Sequence, residues 1–176
     1  MNTPSDRTGA RARLLVLHQK IDAEVAPLTT LHGARLLCRS GCSDCCQDEL
    51  TVLAVEADRI RQAHAQLLAE GTPHPPGACA FLDDAGACRV YADRPYVCRT
   101  QGLPLRWLEE DEDDGEIVES RDICPLNREG QALDDLAEEA CYTLGPVELE
   151  LLALQDDYGP PEERVPLRSL FAKGHG

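Results

Sequence analysis

Between Cys38 and Cys46 the chain places four cysteines in the spacing Cys-x3-Cys-x2-Cys-Cys. No other stretch limits its folding as strongly. A Cys-x2-Cys pair such as Cys42 and Cys45 lets two sulfurs turn onto one ion at about 2.3 Å each, and Gly41 supplies the backbone freedom that folds the loop back. Arg39, Ser40, Ser43, Asp44, Gln47 and Asp48 surround the cysteines with polarity, so the sulfurs are not read as small buried hydrophobes. The adjacent pair Cys45 and Cys46 adds a constraint. Neighbouring side chains diverge, so the two serve different metals or different atoms of one cluster.

The whole chain has nine cysteines in 176 residues. Cys79, Cys88, Cys98 and Cys124 are available to complete the coordination begun by Cys38, Cys42, Cys45 and Cys46. These eight make two four-cysteine sites, or one closed site and one with an open position, and spacing alone leaves the grouping open. Cys141 is set aside. It falls on the stripe Leu133, Leu136, Ala137, Ala140 and Leu144, whose helical spacing turns it toward a core. Zinc favours paired short knuckles, which only the first cluster supplies, whereas iron–sulfur clusters accept scattered ligands. Zinc and iron, the latter including an iron–sulfur cluster, therefore both stand as the cofactor. His18, His32, His64, His74 and His175 include no metalloprotease spacing and read as surface or helix-face residues. The string Cys38-x3-Cys42-x2-Cys45 also matches the cradle of radical S-adenosylmethionine enzymes. Those need a large barrel, and this chain has few strand-like segments and a Cys46 that closes the cluster.

Seventeen basic against 32 acidic residues give a net charge of −15, which repels phosphate backbones and anionic membrane surfaces. Nucleic acid and membrane are thus not expected partners; a metal ion is, with a protein as the other candidate. The opening Met1–Arg7 is polar, and no run approaches the about 20 apolar residues of a membrane span. A reducing cytoplasm is the expected setting, since nine thiols, an odd number, do not read as a disulfide framework.

The length predicts a single domain over 1–176, mainly α with a short β-hairpin, a small cysteine-rich metal-binding domain. Its cysteine-cluster core runs over about 37–126, between helical flanks at 7–28 and 131–157. Leu14, Leu17, His18, Ile21, Val25 and Leu28 predict an amphipathic opening helix that Pro27 and Gly33 end. A second helix is expected from Ala54 to Glu70, then a hairpin around Asp83-Asp84-Ala85-Gly86 carrying Cys79 and Cys88. The acidic run Glu109 to Asp114, followed by Gly115 and Glu116, reads as a solvated loop without a chemical role. Helices are expected on the Leu133–Leu144 stripe and after Pro146. Trp107 and Tyr96 read as packing beside the later cysteines.

The cluster resembles the YkgJ-type cysteine-cluster proteins, a family of zinc- or iron-chelating domains named for Cys-x2-Cys-x2-Cys-Cys. One departure is visible, since Arg39-Ser40-Gly41 lengthens the first gap by a residue. The resemblance continues in Cys79-Ala80-Phe81-Leu82-Asp83, Gly86-Ala87-Cys88-Arg89-Val90-Tyr91 and Arg94-Pro95-Tyr96-Val97-Cys98-Arg99, and spans about residues 38–124. It implies a domain that chelates zinc or iron through its cysteines, which with the setting read above makes a cytosolic metal-binding protein the expectation. A related branch, flagellin lysine N-methylase, implies the alternative of an iron–sulfur-dependent enzyme acting on a protein, although no S-adenosylmethionine loop is recognisable. Arg94 and Arg99 flank Cys98; they read either as partners of acids such as Asp93 or as counter-charge to an all-thiolate site.

Overall fold

The computed structural model describes residues 4–111 and 115–171. In chain order the elements are α1 (Pro4–Leu31), β1 (Thr51–Leu53), α2 (Ala54–Ala63), α3 (Ala65–Glu70), α4 (Tyr96–Arg99), β2 (Leu105–Glu110), β3 (Ile117–Asp122), β4 (Tyr142–Thr143), α5 (Pro146–Tyr158) and β5 (Arg164–Pro166), interspersed with short 3-10 turns. The fold is mixed α/β with two small sheets, and not mainly α with one hairpin. No helix among the described residues is long and apolar enough to cross a membrane.

In α1 the buried residues Ala10, Leu14, Leu17, Ile21 and Leu28 keep the helical spacing read from the sequence. Pro27 does not end the helix. The carbonyl it leaves without a donor belongs to Ala23, and Ala23 and Pro27 are both exposed, so water can take that group. Beyond it, the hydroxyls of Thr29 and Thr30 donate to the carbonyls of Val25 and Ala26, at 3.0 and 3.1 Å.

The chain forms two compact units. The first takes residues 1–16, 39–95 and 152–176. Its core gathers Val52, Ala57, Ile60, Phe81, Val90, Leu167, Leu170 and Phe171, with Cys79 and Cys88 partly buried against it. Phe81 and Phe171 stack tilted, with centroids 4.9 Å apart. Strands β1 and β5 pair antiparallel, Val52 opposite Val165. The N-terminus of α2 is capped from a distance, because the buried Gln155 accepts from the Val55 amide at 3.0 Å through Oε1 and donates to the Pro160 carbonyl through Nε2. The helix expected over 54–70 is broken at His64, whose backbone (φ −126°, ψ 32°) leaves helical space while its Nε2 meets Asp93 at 2.9 Å.

The second unit takes residues 17–38 and 96–151. Its sheet runs β3-β2-β4: β2 and β3 form an antiparallel hairpin, and β4 lies parallel to β2. The acidic run is the end of this hairpin and not only a loop, since Glu109 and Glu110 belong to β2; residues 112–114 lie outside the described residues. The expected helix over 133–144 is absent. Instead Leu133–Asp135 and Glu138–Ala140 form 3-10 turns and Tyr142–Thr143 forms β4. Arg121 Nη1 donates to the carbonyls of Leu133 and Leu136, both at 2.7 Å, occupying acceptors a helix would need. The Tyr142 amide donates to Pro104 and that of Leu144 to Arg106, which draws the segment into the sheet. Cys141 is buried as expected, but from an extended backbone.

Candidate metal centre

Two successive turns shape the cysteine loop. The Cys42 amide donates to the Arg39 carbonyl at 2.9 Å and the Cys46 amide to Ser43 at 2.8 Å. Gly41, inside the first of them, has φ +85°, a region that disfavours any residue with a side chain. The loop lies against the turn at 83–88. A Cβ on Gly86 would stand 2.9 Å from the Gly41 carbonyl oxygen, and one on Gly41 would stand 3.0 Å from that of Ala85. Asp83 closes this second turn by accepting from the amides of Ala85 and Ala87, at 2.9 and 2.8 Å. The expected hairpin shrinks to a single bridge, Leu82 with Cys88. The Cys79 amide donates to the Cys46 carbonyl at 2.9 Å, tying the loop to the next cysteine segment. Cys42, Cys45, Cys46, Cys79 and Cys88 thus all belong to the first unit.

Electrostatics sets Cys45 apart from Cys79 and Cys88. A hydrogen bond with Cys46 lowers the Cys45 thiol to about 6, against the opposing effect of burial. Burial pushes the Cys79 and Cys88 thiols up. Arg94 acts on both Cys45 and Cys88 in the direction that favours thiolate. Its guanidinium carbon lies 3.9 Å from the Tyr91 ring centroid, and its buried Nε has no hydrogen-bond partner among the described residues. Asp93, one suggested partner for Arg94, instead receives Arg59 and His64.

Cys38, Cys98 and Cys124 fall in the second unit with Cys141. Asn127, fully buried, donates through Nδ2 to Cys38 Sγ at 3.4 Å and to the Gly102 carbonyl at 2.8 Å, and its own amide donates to the Cys124 carbonyl at 2.8 Å. Arg99 is buried, with an acid as one partner. It bridges to Asp22 at 2.7 Å and donates to His18 Nδ1 at 3.1 Å.

His18 lies on the buried face of α1, as read from the sequence, whereas His32, also buried, follows the helix, with Nε2 2.6 Å from the Ala140 carbonyl. His175 lies outside the described residues. Trp107 donates to Glu109, and Tyr96 packs on Tyr142 with centroids 6.5 Å apart. Among the described residues no three His, Cys, Asp or Glu side chains converge closely enough to hold an ion as they stand. The donor set nonetheless fits a soft metal. Five thiols share one unit, and a guanidinium with an unused buried donor supplies counter-charge. Sequence reasoning missed Asn127 and also Arg168, which reaches Asp48 and the carbonyls of His74 and Ala78 just ahead of Cys79. A lone Asn or Arg carries no spacing signal.

A family model matches residues 37–125; its description is "putative zinc- or iron-chelating domain". No curated protein and no solved structure matches the chain.

Proposed function

We propose, from the premise that this chain belongs to the CxxCxxCC family, that it chelates zinc or iron in a reducing cytoplasm through two groups of thiolates. The observation that carries the reading is the docking of the Gly41 loop on the Gly86 turn, which keeps Cys42, Cys45, Cys46, Cys79 and Cys88 on one compact unit. These five form the first group. Cys38, Cys98 and Cys124 form the second, whose three protein ligands leave a position for a further donor.

This chain's residues do three things for the ion. The turns at 39–46 and 83–88 limit the directions from which sulfurs approach. Cys45, whose thiol is lowered by its hydrogen bond with Cys46, gives up the proton that metal binding displaces more readily than an ordinary thiol. Arg94 offsets the negative charge that accumulates as further thiolates join. The bound metal supplies a cross-link between loops distant in sequence.

Anaerobic purification followed by elemental analysis and an optical spectrum tests the reading. Stoichiometric zinc in a colourless protein, or iron with sulfide-type absorbance near about 400 nm, is the expected result. A reduced protein that takes up neither metal overturns it.

A further inference from the structure

Cys38 opens the cysteine cluster in the sequence, only four positions before Cys42. Its sulfur meets Asn127 and lies against Gly102, both of the second unit. We propose that Asn127 is a positioning residue that fixes the Cys38 sulfur for a metal bound with Cys98 and Cys124, so that Cys38 serves this group and not that of Cys42, Cys45, Cys46, Cys79 and Cys88.

The side-chain amide of Asn127 can be oriented in one way only. The Leu37 amide lies 2.9 Å from one end and can only donate, so that end is Oδ1. The Gly102 carbonyl lies 2.8 Å from the other and can only accept, so that end is Nδ2. One N–H is then spent on Gly102, and the second meets Cys38 Sγ at 3.4 Å. An acceptor is needed there, and a thiolate accepts better than a thiol.

The backbone of Asn127 locks the amide in place. Its N–H donates to the Cys124 carbonyl at 2.8 Å, and its carbonyl accepts from Arg35 Nε at 3.0 Å. Gly102 completes the seat. At φ +95° it has no side chain, and a Cβ there would stand 2.7 Å from the Cys38 sulfur, so the sulfur rests on bare backbone at the end of the segment that starts with Cys98. A single buried residue therefore touches the sulfur of one cysteine, the carbonyl of a second and the turn that follows the third. Partners of this kind orient a metal-bound sulfur and tune its basicity.

The inference rests on the metal-chelating reading, and cobalt(II) loading of the reduced full chain tests both separately. Sulfur-to-cobalt charge-transfer absorption counts the thiolates on each ion. Asn127→Asp keeps the size of the side chain and the acceptor for Leu37, but sets an anion against the sulfur. It should weaken cobalt binding at one group by about 10- to 100-fold with circular dichroism unchanged. Cys38→Ser and Cys124→Ser should lose that same ion, and Asn127→Asp added to Cys38→Ser should cost nothing further. Cys45→Ser should remove a different ion, with an additive effect. Full cobalt binding with an unaltered thiolate band in a folded Asn127→Asp overturns the proposal, as does loss of one common ion in Cys38→Ser and Cys45→Ser. Should Asn127→Asp lose its fold, the three serine variants decide alone, since Cys38 must then behave as Cys124 does. A native chain that takes up no cobalt, zinc or iron overturns the chelating reading along with this one.

Discussion

Arg168 Nε donates to Asp48 Oδ1 at 2.7 Å, so a carboxylate two positions beyond the cysteine cluster is held by a residue 120 positions later in the chain. The same guanidinium reaches the carbonyls of His74 and Ala78, and Asp48 also accepts from the Gly77 amide at 2.8 Å. The pair fixes the connector that delivers Cys79.

A pH dependence follows. Arg168 first, then the Gly77 amide, holds the Asp48 carboxyl at about 2, below its ordinary 3.8. A depressed folded-state value contributes stability above the unfolded value, and that contribution disappears as pH falls through the folded one. Asp48→Asn should therefore melt lower than the native chain near neutrality, and the gap should close between about pH 4 and pH 2. Thermal melts of both proteins across that range measure it, with acid release of metal common to both. A gap that does not depend on pH overturns the assignment.

Metal contributes its binding energy to folding when no site exists in the unfolded chain. Exhaustive chelation under reducing conditions should lower the melting temperature and change the circular dichroism of the cysteine loop region. If both stay as they were, the metal is not structural.

Cys141 is buried at 5% exposure, as are Leu136 and Tyr142 of the same unit. Burial raises its thiol, as suits a packing residue. Cys141→Ala should keep full metal stoichiometry and cost about 1 kcal/mol, the scale of one sulfur-sized void. Cys45→Ala and Cys46→Ala should each lose metal. Elemental analysis of the three variants distinguishes the cases.

At the acidic hairpin the structure divides one charge run into two roles. Glu109 accepts from Trp107 Nε1 at 2.9 Å and from the Ser120 hydroxyl, whereas Glu116 is exposed at the turn. Replacing residues 111–116 with a neutral linker, while keeping Glu109, should leave metal content intact. Metal lost on that replacement would reveal carboxylate ligands.

Strong local periodicity was legible in the sequence: the stripe of Leu14, Leu17 and Ile21 became α1, and the residues after Pro146 became α5. The stripe of Leu133, Leu136 and Ala137 was equally regular and misled, because Arg121 and the Pro104 carbonyl claim its backbone groups from outside the segment. The eight cysteines stood out by type and spacing. Their division into five and three did not, since it depends on which distant backbone each loop meets. Cys38 is the clearest example, adjacent to the cluster in sequence yet bonded to Asn127, 89 positions away.

The Gly41 backbone fills the space a side chain on Gly86 would need, and the Ala85 carbonyl fills that of Gly41. Neither position can therefore accept another residue without reopening the contact, and the two turns vary as one. The contact between the two turns meets part of the ordering entropy of the thiol loop within the polypeptide itself.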